Sequence, residues 1–313
     1  MSPPPAYNFA SLPEVTSREP LHGDPGLPNR LARGEGYLGT PRDGRRETMT
    51  VDIASGRPEG IAIYPGNTRL PIVMAAVTGL FFLSILLKLF WLTPFALAGI
   101  ATLALVWVWQ LGDRADQGPQ DAGRGAVLPL AGETDRAPGW WGSVFLLVAN
   151  ATFFGSLLFG YAFLWTVAPG WPPPEWLPPS MAELGIGAGS AIGAALAMRL
   201  AILRRRSETP VPFLALALAA TLATALTFGM LILRLPPPDG HAYAATLLIL
   251  GAYVMLHALL AGLMQAFLIV RARRGFISPR RRAELPIVLL WSDYVAAVAA
   301  LSLLAAHLPG FLV

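Results

Sequence analysis

The run Trp140–Trp165, WWGSVFLLVANATFFGSLLFGYAFLW, constrains this chain more than any other stretch: it holds 26 residues of almost unbroken apolar character with one amide, Asn150, near the middle. At about 1.5 Å of rise per residue it would reach about 39 Å as a helix, enough to cross a hydrocarbon core of about 30 Å with some tilt. It therefore predicts a transmembrane helix. Trp140 and Trp141 at its start, and Tyr161 and Trp165 near its end, sit where amphipathic rings anchor at headgroup depth. Two apolar runs precede it and four follow, so it is read as the third of seven spans.

Composition agrees. Of 313 residues 54% are hydrophobic and 13% charged, a balance that excludes a water-soluble domain of this length. The chain has no cysteine, which removes structural disulfides, Fe–S clusters, thiolate nucleophiles and thiolate-ligated metals together. The net charge of +4 is almost all arginine, Lys88 being the sole lysine. These arginines lie in loops instead of forming one basic face, so they read as topology signals, and no nucleic-acid partner is expected. The first long apolar run begins only near Leu70, behind a Pro- and Arg-rich segment, and no secretory signal is read there.

The predicted fold is all-α and polytopic, with four parts. Residues 1–69, rich in Pro, Gly and charge, lack helical periodicity and are expected to be an extended or disordered tail unless a partner orders them. Residues 70–111 form a transmembrane hairpin, 112–139 a polar loop and 140–313 a five-helix block. The spans are Leu70–Leu87, Pro94–Leu111, Trp140–Val167, Met181–Leu203, Pro212–Leu233, Tyr243–Val270 and Leu285–Leu308. One side of this layout carries twenty Arg and Lys: eight in the N-terminal segment, three in 112–139, Arg204–Arg206, and six in 271–284. The other side has only Lys88 and Arg234, which places the N-terminus in the cytoplasm and the C-terminus outside a bacterial plasma membrane. A soluble helical bundle would explain neither the span lengths nor this alternation. No internal repeat or inverted pair of broken helices is evident. In the fourth span Gly185, Gly189 and Gly193 recur at intervals of four, a stripe expected to let another backbone approach closely.

Few residues could carry chemistry. Of His22, His241, His257 and His307, only His257 lies well inside a span, and no second histidine sits one turn away. A haem with two axial ligands or a three-His copper site is therefore not expected from the membrane interior of this chain, and no metal site or catalytic residue is assigned. His257 reads either as a hydrogen-bonded packing residue or as a functional polar contact. Asp293 is the one carboxylate well inside an apolar run, where an ionised acid costs about 2.5–3.5 kcal/mol, so it should face the bundle and have a partner or be protonated. It lies about 13 Å in from the cytoplasmic end of its helix and Asn150 about 15 Å in from Trp140, so the two share a depth. A structural bond from Asp293 to Asn150 or His257, or a proton-handling role, follows. Arg199 is read as an interface anchor whose side chain snorkels. Glu175, Glu183 and Asp239 fall in or beside outer loops and suggest nothing specific. There is no P-loop, no GxSxG, no HExxH and no pair of carboxylates at helical spacing within a span.

The opening SPPPAYNFASLPEV resembles the cytoplasmic C-terminal end of cytochrome c oxidase subunit I, especially in bacterial chains where subunit I continues into subunit III. Three later places resemble subunit III. Trp141-Gly142 through Asn150 to Phe153-Phe154 is similar to its third helix. Asp239-Gly240 through Tyr243, Thr246 and His257 to Gly262 is similar to its sixth. Trp291-Ser292-Asp293 is similar to its last, where an aromatic residue precedes a buried Asp by two. Asn150 stands where the family typically has Glu, and Val254 where it has a second His; an amide does not titrate, so Asn150 cannot inherit a protonic role of that Glu. The resemblance implies a non-catalytic membrane component that packs on subunit I and other subunits of a proton-pumping oxidase and supports proton uptake. Haem and copper would then sit in partner subunit I, with a phospholipid bound in the groove between this chain's helix groups. The rival reading is a small secondary transporter or channel using Asp293 and His257 along a hydrated path.

Overall fold

Each of the seven apolar runs is a helix in the computed structural model, which describes residues 9–42, 44, 46–111, 117–130, 137–173, 176, 180–204, 210–278 and 281–312. Residues 2–8, which open the run resembling subunit I, lie outside the described residues, as do Glu175, Arg205 and Arg206. The chain divides into two units, residues 1–132 and 133–313.

The first unit corrects the expectation of an extended tail. Short helices α1 (Pro20–Gly23) and α2 (Leu27–Ala32) lead into an antiparallel pair, β1 (Glu47–Val51) and β2 (Pro58–Ile63). A second hairpin, β3 (Pro119–Asp121) and β4 (Val127–Pro129), comes from the interval predicted to be a plain loop. The two parts join through a parallel bridge between Ile61 and Leu130 and a backbone bond from Leu38 N–H to Ala122 O. Ile61, Ala122 and Leu128 are buried there, with Leu38 and Met49 packed on them. Ser11 Oγ donates to Leu31 O at 2.9 Å and accepts from Gly36 N–H, folding residues 11–36 on themselves. Close approach fixes Gly36 as glycine, since a Cβ there would lie 2.3 Å from Leu12 O.

Also in this unit, α3 (Leu70–Leu86) and α4 (Thr93–Leu111) form the predicted hairpin. Proline in the first turn of α3 suits a position whose N–H has no helical partner. Lys88, at φ 57°, turns the chain, and Ser84 Oγ lies 2.9 Å from Thr93 Oγ1 across the turn.

The second unit holds α5 (Pro138–Val167), α6 (Met181–Arg204), α7 (Val211–Arg234), α8 (Ala242–Arg273) and α9 (Glu284–Leu312). Among the described residues six helices, α4 to α9, are long and apolar enough to cross a membrane; α3 is a shorter apolar helix of 17 residues. Helix α8 is central, packing against α5, α7 and α9, while α6 lies against α7 and α9. Helix α5 buries only Leu147, Phe154 and Tyr161, a seam recurring every seventh residue, against α8 and α9. Its other sides expose Phe145, Phe153, Phe159 and Phe163.

The ends of this unit are tied by side chains. Ser180 and Glu183 form a reciprocal capping box at the start of α6, and Glu183 also pairs with Arg234 at the end of α7. Pro309 lies inside α9 and has no N–H to give Ala305 O, four residues back. Tyr161 Oη donates to that carbonyl instead, at 2.5 Å, and Tyr243 Oη donates to Ala306 O at 3.0 Å.

The glycine stripe does not pack as expected. A Cβ added at Gly185, Gly189 or Gly193 would meet nothing within 4 Å. Helix α6 turns its other face inward, burying Ala191, Ala194, Ala195, Ala197, Met198 and Ala201. The close approach is at Gly187, where a Cβ would lie 2.9 Å from Leu303 Cδ1 and 3.0 Å from Thr227 Cγ2.

Candidate functional site

Three helices bring polar side chains together in the interior of the second unit. Helix α5 supplies Asn150, α8 supplies Tyr253 and His257 one turn apart on the same face, and α9 supplies Trp291 and Tyr294. His257 is 4% exposed, so its ring nitrogens depend on protein partners. Nδ1 lies 2.8 Å from Tyr253 O and Nε2 lies 3.2 Å from Asn150 Oδ1. The amide's other end, Nδ2, donates to Leu146 O at 2.9 Å. Tyr253 Oη donates to Asn150 O at 3.0 Å and lies 2.5 Å from Tyr294 Oη. Those bonds agree if Tyr294 donates to Tyr253 and Tyr253 donates to the α5 backbone.

Aromatic rings enclose the imidazole. Tyr253 stacks on it at 4.1 Å between centroids, Tyr294 lies at 5.4 Å and Trp291 at 6.2 Å, nearly parallel. Phe154 and Phe153 also pack on Tyr253, at 5.2 and 5.9 Å between ring centroids. The cluster joins α5, α8 and α9 by hydrogen bonds that the surrounding apolar side chains shield from competition.

Asn150 and His257 thus come together, and Asp293 does not join them. It is paired with Arg199 of α6, Oδ1 to Nη1 at 2.8 Å and Oδ2 to Nη2 at 2.9 Å. This corrects the expected bond from Asp293 to an amide or imidazole, and it corrects Arg199 from an anchor to a partner. The side chains are 36% and 47% exposed, so the pair lies at the edge of the α6–α9 seam and not in the core.

Three further contacts escaped the sequence reading. Gln265 Nε2 donates to Ser292 Oγ at 3.1 Å between α8 and α9, while Gln265 Oε1 is buried without a partner. Arg271, 1% exposed, forms a two-pronged pair with Glu284 at 2.6 and 2.8 Å and lies 4.8 Å over the Phe276 ring. At the opposite end of the unit, Trp171 packs edge-on to both Tyr161 and Tyr243. In the first turn of α6, ahead of its apolar stretch Gly185–Leu203, backbone N–H at Ser180, then the Arg234 guanidinium, hold the Glu183 carboxyl below its ordinary range. In the first unit a cavity of about 350 Å³ is lined by Gly34, Gly39, Arg42, Glu47 and Gln120. The Arg42 guanidinium spans it, bonded to Asp121 O and Gln120 Oε1.

Among the described residues no group of three or more His, Cys, Asp or Glu could hold a metal ion. Compared with known proteins, the chain matches no family and no curated relative.

Proposed function

We propose that the chain is a subunit III-like, non-catalytic membrane component of a haem–copper cytochrome c oxidase, preceded by a segment like the end of subunit I. In this reading α3 also crosses the bilayer, giving seven spans, with the N-terminus cytoplasmic and the C-terminus outside a bacterial plasma membrane. Haem and copper belong to partner subunit I, and this chain packs on it, stabilises it and supports its proton uptake. Membrane phospholipid covers the remaining apolar faces.

One observation carries the reading. The three stretches that resemble subunit III are distant in sequence, and residues from all three meet in one place: Asn150 from the first, His257 from the second and Trp291 from the third. Asn150 stands where the family has Glu, so what supports the reading is that this position, His257 and Trp291 occupy one cluster. The exposed phenylalanines of α5 supply lateral surface for a partner or for lipid.

The test is co-purification. A C-terminally tagged chain, extracted from its own membranes in mild detergent, should bring down a haem protein that oxidises cytochrome c. Deleting the chain should lower oxygen consumption per haem or shorten the life of the complex. Elution without any haem protein, together with unchanged oxidase turnover in the deletion strain, refutes the proposal.

A further inference from the structure

We infer that His257 and Asn150 form a proton-binding site within the membrane, whose occupancy is set by which way the Asn150 amide faces. The argument is a count of donors. Nδ1 of His257 faces a backbone carbonyl, Tyr253 O, at 2.8 Å, and a carbonyl only accepts, so Nδ1 carries a hydrogen. Nε2 faces Asn150 Oδ1 at 3.2 Å, another acceptor. Exchanging the amide end for end would offer Nε2 a donor, but at the cost of the 2.9 Å bond from Nδ2 to Leu146 O and with two oxygens set against each other. Every contact is satisfied together only when Nε2 also carries a hydrogen and the ring is an imidazolium. When the ring is neutral, Nε2 is an acceptor, and the amide must turn its NH2 toward the ring and give up Leu146 O.

Burial opposes a charge on this ring, which is 4% exposed and has no ion-pair partner among the described residues, and the neighbouring aromatic rings are what offset that cost. The Tyr253 ring is stacked on the imidazole at 4.1 Å, inside the roughly 6 Å over which a ring face attracts a positive charge, while the Tyr294 ring is tilted beside it at 5.4 Å and Trp291 lies at 6.2 Å. The titratable groups facing His257 are the Tyr253 phenol from its own helix and the Tyr294 phenol from α9. Helix α5 contributes only the amide, and α7 contributes Ala225 to the adjoining apolar cluster. The nearby carboxylate, Asp293, is engaged by Arg199 of α6. Binding a proton at Nε2 therefore restores a bond within α5, between Asn150 and Leu146, and gaining or losing it re-sets how α5 is tied to α8. The site belongs to the chain's own three helices and does not depend on the oxidase reading.

The test is ¹⁵N solid-state NMR of the full chain, labelled at the histidine rings and held in phospholipid bilayers, titrated from about pH 9 to about pH 5. The His257 signals are those that His257→Gln removes. We expect them to pass from one protonated nitrogen to two. Removing the amide acceptor in Asn150→Leu should lower the cationic share at a given pH about tenfold, equivalent to one pH unit. Asn150→Asp, which offers only acceptors, should raise it. A ring that stays neutral across the whole range in the wild-type chain overturns the inference, as does one that titrates identically in wild type and both variants. The wild-type titration decides even if a variant fails to insert.

Discussion

Arg199 and Asp293 offer the sharpest quantitative test, because the two ends of the pair sit at different depths. Asp293 is nine residues past Glu284, about 13.5 Å into α9, whereas Arg199 is five residues before Arg204, about 7.5 Å from the end of α6. The arginine side chain is long enough to reach the interface when its partner is lost; the aspartate is not. A lone charge at helix centre costs about 2.5–3.5 kcal/mol on insertion scales, and the partial exposure of both side chains argues for the lower end. Arg199→Leu, which strands Asp293, should therefore destabilise the unit by about 2–3 kcal/mol. Asp293→Asn, which leaves Arg199 an amide oxygen and a route to the interface, should cost about 1 kcal/mol. Replacing both by leucine removes the charges together and should cost less than Arg199→Leu alone. The measurement is reversible unfolding in bicelles of the wild type, Arg199→Leu, Asp293→Leu and the double leucine variant, closed as a double-mutant cycle, with Asp293→Asn measured alongside. A coupling energy below about 0.5 kcal/mol, or Asp293→Asn costing more than Arg199→Leu, would show that the pair does not act as described.

Other outcomes follow from single contacts. Gly187→Ala should lower thermal stability in detergent by about 1–2 kcal/mol through overpacking against Leu303 and Thr227, while Gly189→Ala should be neutral or better; equal effects would mean the register of α6 is wrong. Glu183 is held below its ordinary value of 4.5, so its contribution is present above that value and is lost as pH falls through the lower, folded one. Below about pH 4.5 the wild-type chain should converge in stability on Glu183→Gln, and a gap that widens instead would refute the Arg234 contact. Gln265→Met should cost less than about 1 kcal/mol, because the amide leaves one atom unsatisfied and Ser292 keeps its bond to Val288 O. A loss above about 3 kcal/mol would mean that Gln265 Oε1 has a partner not seen here.

Depth along each helix was legible in the sequence and rotation about it was not. An apolar run of membrane length has few structural alternatives, so the predicted span Trp140–Val167 differs from the observed helix by two residues at one end. The larger misses have local causes. Helix α8 runs to Arg273 and not Val270, because Arg271 turns inward to Glu284 instead of ending the span. Helix α9 continues past Leu308 because Tyr161 takes the carbonyl that Pro309 leaves open. Rotation is read from contrast between faces, and helices apolar on every side offer little. Asp293 thus lies within its helix as read but among other neighbours, and the glycine stripe lies on the face of α6 turned away from the bundle. One rule did point the right way: charges deep in a membrane pair with each other, and Arg199 and Asp293 were the two available. The fold of residues 9–69 had no such shortcut, since its strands are completed by Leu128 and Leu130, far along the chain. Long-range pairing of strands only three to six residues long leaves little periodicity for a reader of sequence to use. The same asymmetry explains why the Asn150–His257 contact is not among the sequence expectations: both polar groups stand out against apolar helices, but each reads as a partner for Asp293, and nothing in the pattern marks Tyr253 and Tyr294 as the rings that α8 and α9 set beside the imidazole.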